Sequence, residues 1–445
     1  MTNFLNTISY KQVIGALALL IMLPACEVDN IPDPNNSTLD VVELNASIPT
    51  LNNLVVGTEA AMRIDIATYY DGMAVIGREI YRFSGSEPRF ATDLLGGGSA
   101  VLDNNTFYTT RPWNGRYRAV KDANILIAAV NNTNQVTEEQ KQGYLGFAKT
   151  IKAHQLLMNL TMMNENGIRL DVADPDNLGP VVGRAAAYTA IAAMLDEAKV
   201  HLQNAGDDFA FPLSDGFEGF KTPASFLTFN RALAARVAVY RENFDEALTY
   251  LNESFLQLNN VAGSFRMGVY HTFSNASGDI LNPVFLPRNS TGEIRLAHPR
   301  FVTEASPNDD RLAKVALREA EATQSDLTSR YDVFVYKTNT DPMPIIRNEE
   351  LILIYAEAKI QTGALMDAVS ALDLIRTGHG LLPYAGAVTK EALIDELLRQ
   401  RRYSLYFEGH RWVDMRRYNK LSELPLDRAG DDVWVSFPIP FNEGV

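Results

Sequence analysis

The sequence predicts a mainly α protein built from helix-turn-helix hairpins, with a loop-rich region and a few short strands. Three observations carry that expectation. Apolar residues recur at spacings of three and four along most of the chain. Two of the helical pairs place small and large residues in the same order. Stretches rich in β-branched and aromatic residues are confined to the middle and the end. A hydrophobic content of 46% with 21% charged residues suits a packed globular body. At 445 residues the chain has room for two or three average domains or for one large helical array.

The N-terminus reads as an export signal rather than as part of the fold. Residues 1–12 are polar with one lysine, Lys11, and residues 13–23 are an unbroken apolar run. That run falls short of the about 20 residues needed to span a bilayer but suits a signal-peptide core. It stops at Leu23-Pro24-Ala25-Cys26, and Cys26 is the only cysteine in the chain. A small residue before a lone Cys after such a core looks like a bacterial lipobox, which makes residues 1–25 the signal peptide and Cys26 the lipidation site. An ordinary secretory signal cut elsewhere, or a short hydrophobic anchor, is the alternative. Residues 26–40 are rich in Pro, Asn, Asp and Ser and have little to bury, so they read as an extended tether. The body is then 41–445.

Within the body, residues 117–130 repeat apolar side chains at Val120, Ala123, Ile127 and Val130, and residues 145–163 and 185–202 continue the helical pattern. Residues 228–240 and 244–256 form one helical pair, residues 349–362 and 365–375 a second, and residues 391–407 close the set. Setting Ala247 on Ala368 brings Phe244 onto Leu365, Glu246 onto Asp367 and Leu251 onto Leu372. A small residue on each helix lets such a pair pack tightly, which is the logic of the tetratricopeptide repeat. The units are not tandem. Two long irregular stretches, about 64–111 and 261–344, separate helices and are expected to fold together as loop-rich insertions. Residues 332–338, DVFVYKT, alternate like a strand, and the terminal VWVSFPIP could pair as an edge strand until its prolines stop it.

Charge and motifs narrow the chemistry. The formal charge is −14, and the first 25 residues hold one lysine and no acid, so their removal makes the chain more negative. Phosphate binding needs clustered positive charge, so nucleic acid is excluded as a partner. The six histidines, His154, His201, His271, His298, His379 and His410, show no metal-ligand spacing. No Gly-x-Ser-x-Gly elbow occurs, and Gly96-Gly97-Gly98 reads as a turn rather than a phosphate cradle. Neither a cofactor nor a resident metal is expected. Two distant carboxylates meeting in a cleft, as in a glycosidase, stay open as an alternative.

The strongest signal is C-terminal. From Arg347 the chain reads RNEELILIYAEAKIQTGALMDAVSALDLIRTGHGL and, after a short loop, LIDELLRQRRYSLYFEGHRWVDMRR. The second segment strings together Arg401, Arg402, Glu408, Gly409, Arg411, Trp412, Asp414 and Arg417. These could form an anion- or sugar-binding cluster, or an ion-pair network in which Glu408–Arg411 and Arg411–Asp414 lock the last helix to its neighbours around a buried Trp412. The stretch resembles the C-terminal signature of the SusD/RagB family. Upstream, Trp113, Tyr117 and Asn124 fit that family's first helix, Asn308, Asp309 and Arg311 its mid-chain step, and Pro438-Ile439-Pro440 its terminal motif. The family's usual acids flanking the paired arginines are replaced here by Gln400 and Ser404, and Gly378-His379-Gly380 stands where it has Arg-Ala-Gly, so some ion pairs must differ.

The resemblance implies a surface lipoprotein of the outer membrane that binds a nutrient, often a glycan. It would cap a SusC-like TonB-dependent transporter and open like a lid. It implies no catalysis, a structural role for the C-terminal motif, and a shallow ligand site made by loops off the helices. Sugars stack on aromatic rings while polar side chains take their hydroxyls. Residues 78–90 hold a suitable mixture in Arg78, Tyr81, Phe83, Arg89 and Phe90, with Tyr108 close in sequence and Trp434 a further platform. Packing within the loops is the alternative for each. The rival functions are a surface glycoside hydrolase and a helical-repeat scaffold that recruits proteins.

Overall fold

The computed structural model describes residues 44–259, 261 and 263–443. The signal-peptide, Cys26 and tether expectations lie outside the described residues. The body is mainly helical, as the periodicity predicts. Helix α1 (Ile48–Ala61) turns directly into α2 (Ile66–Ile76), followed by the long antiparallel α3 (Phe107–Asn132) and α4 (Glu138–Met163). Next come α5 (Arg184–Gln203), the hairpin α6 (Pro223–Tyr240) and α7 (Phe244–Asn252), the short α8 (Pro299–Thr303), the hairpin α9 (Asn348–Gln361) and α10 (Leu365–Gly378), then α11 (Lys390–Ser404) and α12 (Arg411–Arg417).

Local chemistry explains the boundaries. Thr137 and Gln140 form a reciprocal capping box that starts α4, and Thr222 with Ser225 does the same for α6, where Pro223 occupies the first turn. Helix α3 begins ten residues before the periodicity indicates, and it carries Pro112 near its start. Pro112 is the sixth residue of the helix, so it removes the bond that would reach the Tyr108 carbonyl, a loss confined to the N-terminal end of a 26-residue helix. Gly115 lets α3 cross the α1–α2 turn, because a Cβ there would meet the Ile64 carbonyl oxygen at 2.6 Å. Buried Arg116 then fastens the crossing by donating to the Met62 carbonyl at 2.7 Å and to Gln155 Oε1 at 2.8 Å.

The two hairpins stack on each other, with α7 and α6 against α9. Ala247 and Ala368 are fully buried at the equivalent close-contact positions, as are Leu251 and Leu372. Helices α9, α10 and α11 enclose a satellite core of Ile352, Leu353, Ala356, Leu372, Leu393 and Leu397 beside the main one.

The insertions contain more regular structure than expected. Residues 64–111 include all of α2, which is buried along nearly its whole length, and β1 (Ile80–Ser84). Residues 261–344 supply β4 (Gly268–His271), β5 (Glu293–Ala297), β6 (Val315–Gln324), β7 (Leu327–Val333) and the start of β8 (Met343–Arg347). Strands β1-β5-β7-β6 form one antiparallel sheet, so the two insertions fold together. The β6–β7 hairpin turns on Ser325 and Asp326, both at positive φ as a tight primed turn requires. Strands β4 and β8 form a separate ribbon leading into α9, and β2 (Ile168–Arg169) and β3 (Val181–Val182) a minimal pair.

Two strand expectations fail. Only Asp332 and Val333 of DVFVYKT lie in a strand. VWVSFPIP forms none, because its bonds go to separate partners: the Phe437 N–H to the Met162 carbonyl and the Trp434 indole to the Asp93 carbonyl.

Candidate functional site

Most of the C-terminal charge string is spent on framework ion pairs, with Arg401 and Asp414 fully buried. The chain leaves α11 through a break at Phe407 and Gly409, both at positive φ, so Glu408 and Arg411 do not share a helix. The expected Glu408–Arg411 pair is therefore absent, and Arg411–Asp414 does not form although both lie in α12, because Asp414 is taken by other arginines. Glu408 instead accepts from Arg347 at 2.7 Å. Asp414 takes Arg401 at 2.7 Å and Arg417 at 3.4 Å, while Arg417 also reaches Glu357 at 2.7 Å. Burial alone would raise the Asp414 carboxyl, but the two guanidiniums hold it below the usual range. Arg402 pairs with Glu304 at the rim. Trp412 is fully buried, donates to the Trp434 carbonyl at 2.8 Å and carries Arg416 on its face at 3.9 Å.

The remaining motif residues are tied in the same way. Trp113 donates to Glu443 Oε1 at 2.8 Å, and Asn124 accepts from Lys152 at 2.7 Å. Buried Asp309 and Arg311 pair at 2.8 Å. The departure at Ser404 has a local answer, since its hydroxyl accepts from Arg311 at 3.0 Å. His379 fills the other by bridging Asp310 at 2.7 Å and Glu349 at 2.8 Å.

The loop candidates divide into two groups. Arg78, Tyr81 and Phe83 are internal. Arg78 donates to the carbonyls of Pro425, Leu95 and Asp432, while Tyr81 stacks on Phe83 at 5.8 Å and packs against His298 at 5.2 Å. They bind the loop to the C-terminal tail and present no surface. Gly96 serves the same junction, with its Cβ position only 2.4 Å from Asp432 Cβ, so the glycine turn is a close backbone approach.

Arg89, Phe90, Tyr108 and Trp434 come together around Asp93. The Tyr108 hydroxyl donates to Asp93 Oδ2 at 2.8 Å and the Trp434 indole to the Asp93 carbonyl at 2.9 Å. Phe90 is buried edge-on against Phe107 at 4.9 Å and roofs Arg82. Above this base the surface opens. Phe107 is half-buried, with the guanidiniums of Arg89 at 5.3 Å and Arg111 at 5.9 Å over its ring. Glu87 orients Arg89 through a two-pronged ion pair at 2.6 and 2.7 Å. Val101 and Phe441 are exposed nearby in the chain trace, the Phe441 N–H donating to the Asn104 carbonyl at 3.0 Å.

With the two guanidiniums swung off the ring, an apolar ligand face can stack on Phe107 while Arg89 and Arg111 donate to hydroxyls at its edge. Phe107 and Arg111 escaped the sequence reading because the helical periodicity placed them in a loop. Their adjacency to Tyr108 was the available signal.

Residues 333–430 match the SusD family model, described as "SusD family". Solved structures share the fold across nearly the whole chain. Surface glycan-binding protein A from Bacteroides thetaiotaomicron superposes with a TM-score of 0.69 at 14% identity, covering 89% of this chain and 96% of that one. The same protein in complex with laminarihexaose gives 0.66 at 14% identity, covering 84% and 91%. A SusD superfamily protein from Bacteroides vulgatus gives 0.67 at 16% identity, covering 89% and 96%. No curated protein sequence matches the chain. The resemblance read from the C-terminal motif and the SusD-like fold class are thereby borne out.

Proposed function

We propose that this protein is a surface-exposed, lipid-anchored binding protein of the outer membrane that captures an oligosaccharide and performs no catalysis. Arg89, Phe107 and Arg111 form the contact surface, with Phe90, Tyr108 and Trp434 setting its shape from below. Cys26 carries the lipid, and a SusC-like TonB-dependent transporter receives the ligand. The observation that carries the reading is the fold shared over most of the chain with a glycan-binding protein captured on laminarihexaose. The ion pairs of Arg401, Glu408, Asp414 and Arg417 support it further, because those charges are spent on the frame.

Calorimetry with laminarihexaose and a panel of other glycans, paired with a reducing-end assay, tests the proposal. Saturable binding without release of product is expected, together with co-purification of an outer-membrane barrel. Hydrolysis abolished by one Asp or Glu change would transfer the protein to the glycosidases. Absence of glycan binding alongside capture of other proteins would make it a recruitment scaffold.

A further inference from the structure

A second concavity lies on the α11–α12 side and shares no residue with the aromatic patch. It is an open cleft of about 660 Å³ whose lining includes Tyr384, Arg399, Tyr403, Arg411, Lys420 and Glu423. Most of its charges are matched internally. Arg402 holds Glu304, Lys420 holds Asp395 at 3.1 Å and Glu423 at 2.6 Å, and Arg376 holds Glu396.

Two guanidiniums meet no carboxylate. Arg399 donates only to the Glu304 carbonyl at 2.9 Å and the Ser306 hydroxyl at 3.2 Å. Arg411 makes neither hydrogen bond nor ion pair among the described residues, although it is half-buried. Its pKa is lowered by burial and by the neighbouring Arg402 charge, which the more distant carboxyls of Asp414, Glu79 and Glu423 offset only in part. Glu79, a buried carboxyl within electrostatic reach of Arg411, is no counterion. Burial pushes it up to about 8, so it is largely protonated at neutral pH. Tyr403 adds an independent sign. It is buried in the cleft wall, and its hydroxyl has no hydrogen-bond partner. A buried hydroxyl without a partner is costly, and a ligand oxygen would satisfy it.

We propose that this cleft binds a small polyhydroxylated oxyanion, a sugar acid or sugar phosphate, with its anionic group on Arg411 and Arg399 and an oxygen on the Tyr403 hydroxyl. The volume falls in the range of small-ligand sites. Tyr384 supplies an apolar wall. The rim carboxylates Asp395 and Glu423 retain lone pairs for ligand hydroxyls.

Calorimetry on the full chain with glucuronate, glucose 6-phosphate, inorganic phosphate and glucose tests the assignment. Both anionic sugars are expected to bind, more weakly at high salt, and glucose is not. Arg411→Gln should raise their Kd at least about tenfold, the scale of one lost charge-assisted bond. Tyr403→Phe should raise it several-fold while leaving the melting temperature unchanged or higher, a result that a purely structural hydroxyl would not give. Arg399→Gln serves the same purpose if Arg411→Gln fails to fold. Laminarihexaose binding in these variants should stay at its wild-type level, which keeps this test separate from the aromatic patch. Failure of both anionic sugars to bind, or unchanged affinity in the folded variants, would overturn the proposal. Inorganic phosphate matching glucose 6-phosphate would overturn the sugar part of it.

Discussion

The Trp412 indole donates at 2.8 Å to the carbonyl of Trp434, joining α12 to the irregular C-terminal tail. The same tail residue donates its own indole to the Asp93 carbonyl at the base of the aromatic patch. One tail residue thus connects the family motif to the candidate ligand surface. Phe437, edge-on to Trp412 at 5.7 Å and near Tyr108 at 6.4 Å, packs the same junction.

Trp412→Ala should therefore cost about 3–5 kcal/mol in stability, the range for truncating a large buried aromatic. Urea unfolding at neutral pH measures it. Loss of ligand binding with stability intact would mean that Trp412 touches the ligand rather than the core.

Arg236 and Glu350 make a buried, two-pronged ion pair at 2.6 and 2.7 Å between α6 and α9. Burial opposes the Glu350 charge, but Arg236 and His410 outweigh it and hold the carboxyl at about 2. Glu350→Ala should destabilise by about 3–5 kcal/mol, because it leaves a buried guanidinium unpaired. The double variant Arg236→Met/Glu350→Leu should recover most of that loss. A double-mutant cycle reads both outcomes.

The same region sets the acid response. Burial depresses His410 to about 4 and His271 to about 3, so the unfolded chain takes up these protons first. Their contribution to stability is present above about 6.5, the unfolded value, and is lost as pH falls through the folded values. Glu350 adds a further loss below about 4.5 and down to about 2. Melting temperature should fall steadily from pH 6.5 to pH 4, and His410→Gln should flatten the upper part of that slope.

Glu79 predicts the opposite slope. Its folded value is raised to about 8 by burial, so its contribution is full below about 4.5 and disappears as pH rises through 8. Glu79→Gln should keep the neutral form at every pH. It should therefore stabilise the protein relative to wild type at pH 8 and above, with little difference at pH 5.

At the aromatic patch, Phe107→Ala should weaken glycan binding by about tenfold, the loss of one stacking platform. The ring is only half-buried, so the melting temperature should change far less than in Trp412→Ala. Equal losses of affinity and stability would assign Phe107 to packing. Cys26→Ala should release the protein from membranes, and continued anchoring would remove the lipid from the proposal.

Amino-acid pattern was enough to read most of the helices from α3 onward and the close contacts between the paired ones. Ala247 and Ala368 were legible because a small residue recurring in register with Leu251 and Leu372 has one packing consequence, whatever surrounds it. The C-terminal motif was legible because Trp412 and its flanking charges lie within a few residues of one another. Where those charges pair depends on the folded chain. Asp414 meets Arg401 across the turn between α11 and α12, Glu408 meets Arg347, and Arg311 meets Ser404, at separations of up to 93 residues. The binding candidates divided for the same reason. Arg78 and Arg89 look alike in sequence, yet backbone carbonyls 347 and 354 residues away enclose Arg78, while Arg89 is left in solvent over Phe107. Periodicity reports which face of an element is buried, whereas burial of a loop side chain depends on distant segments that local pattern does not encode.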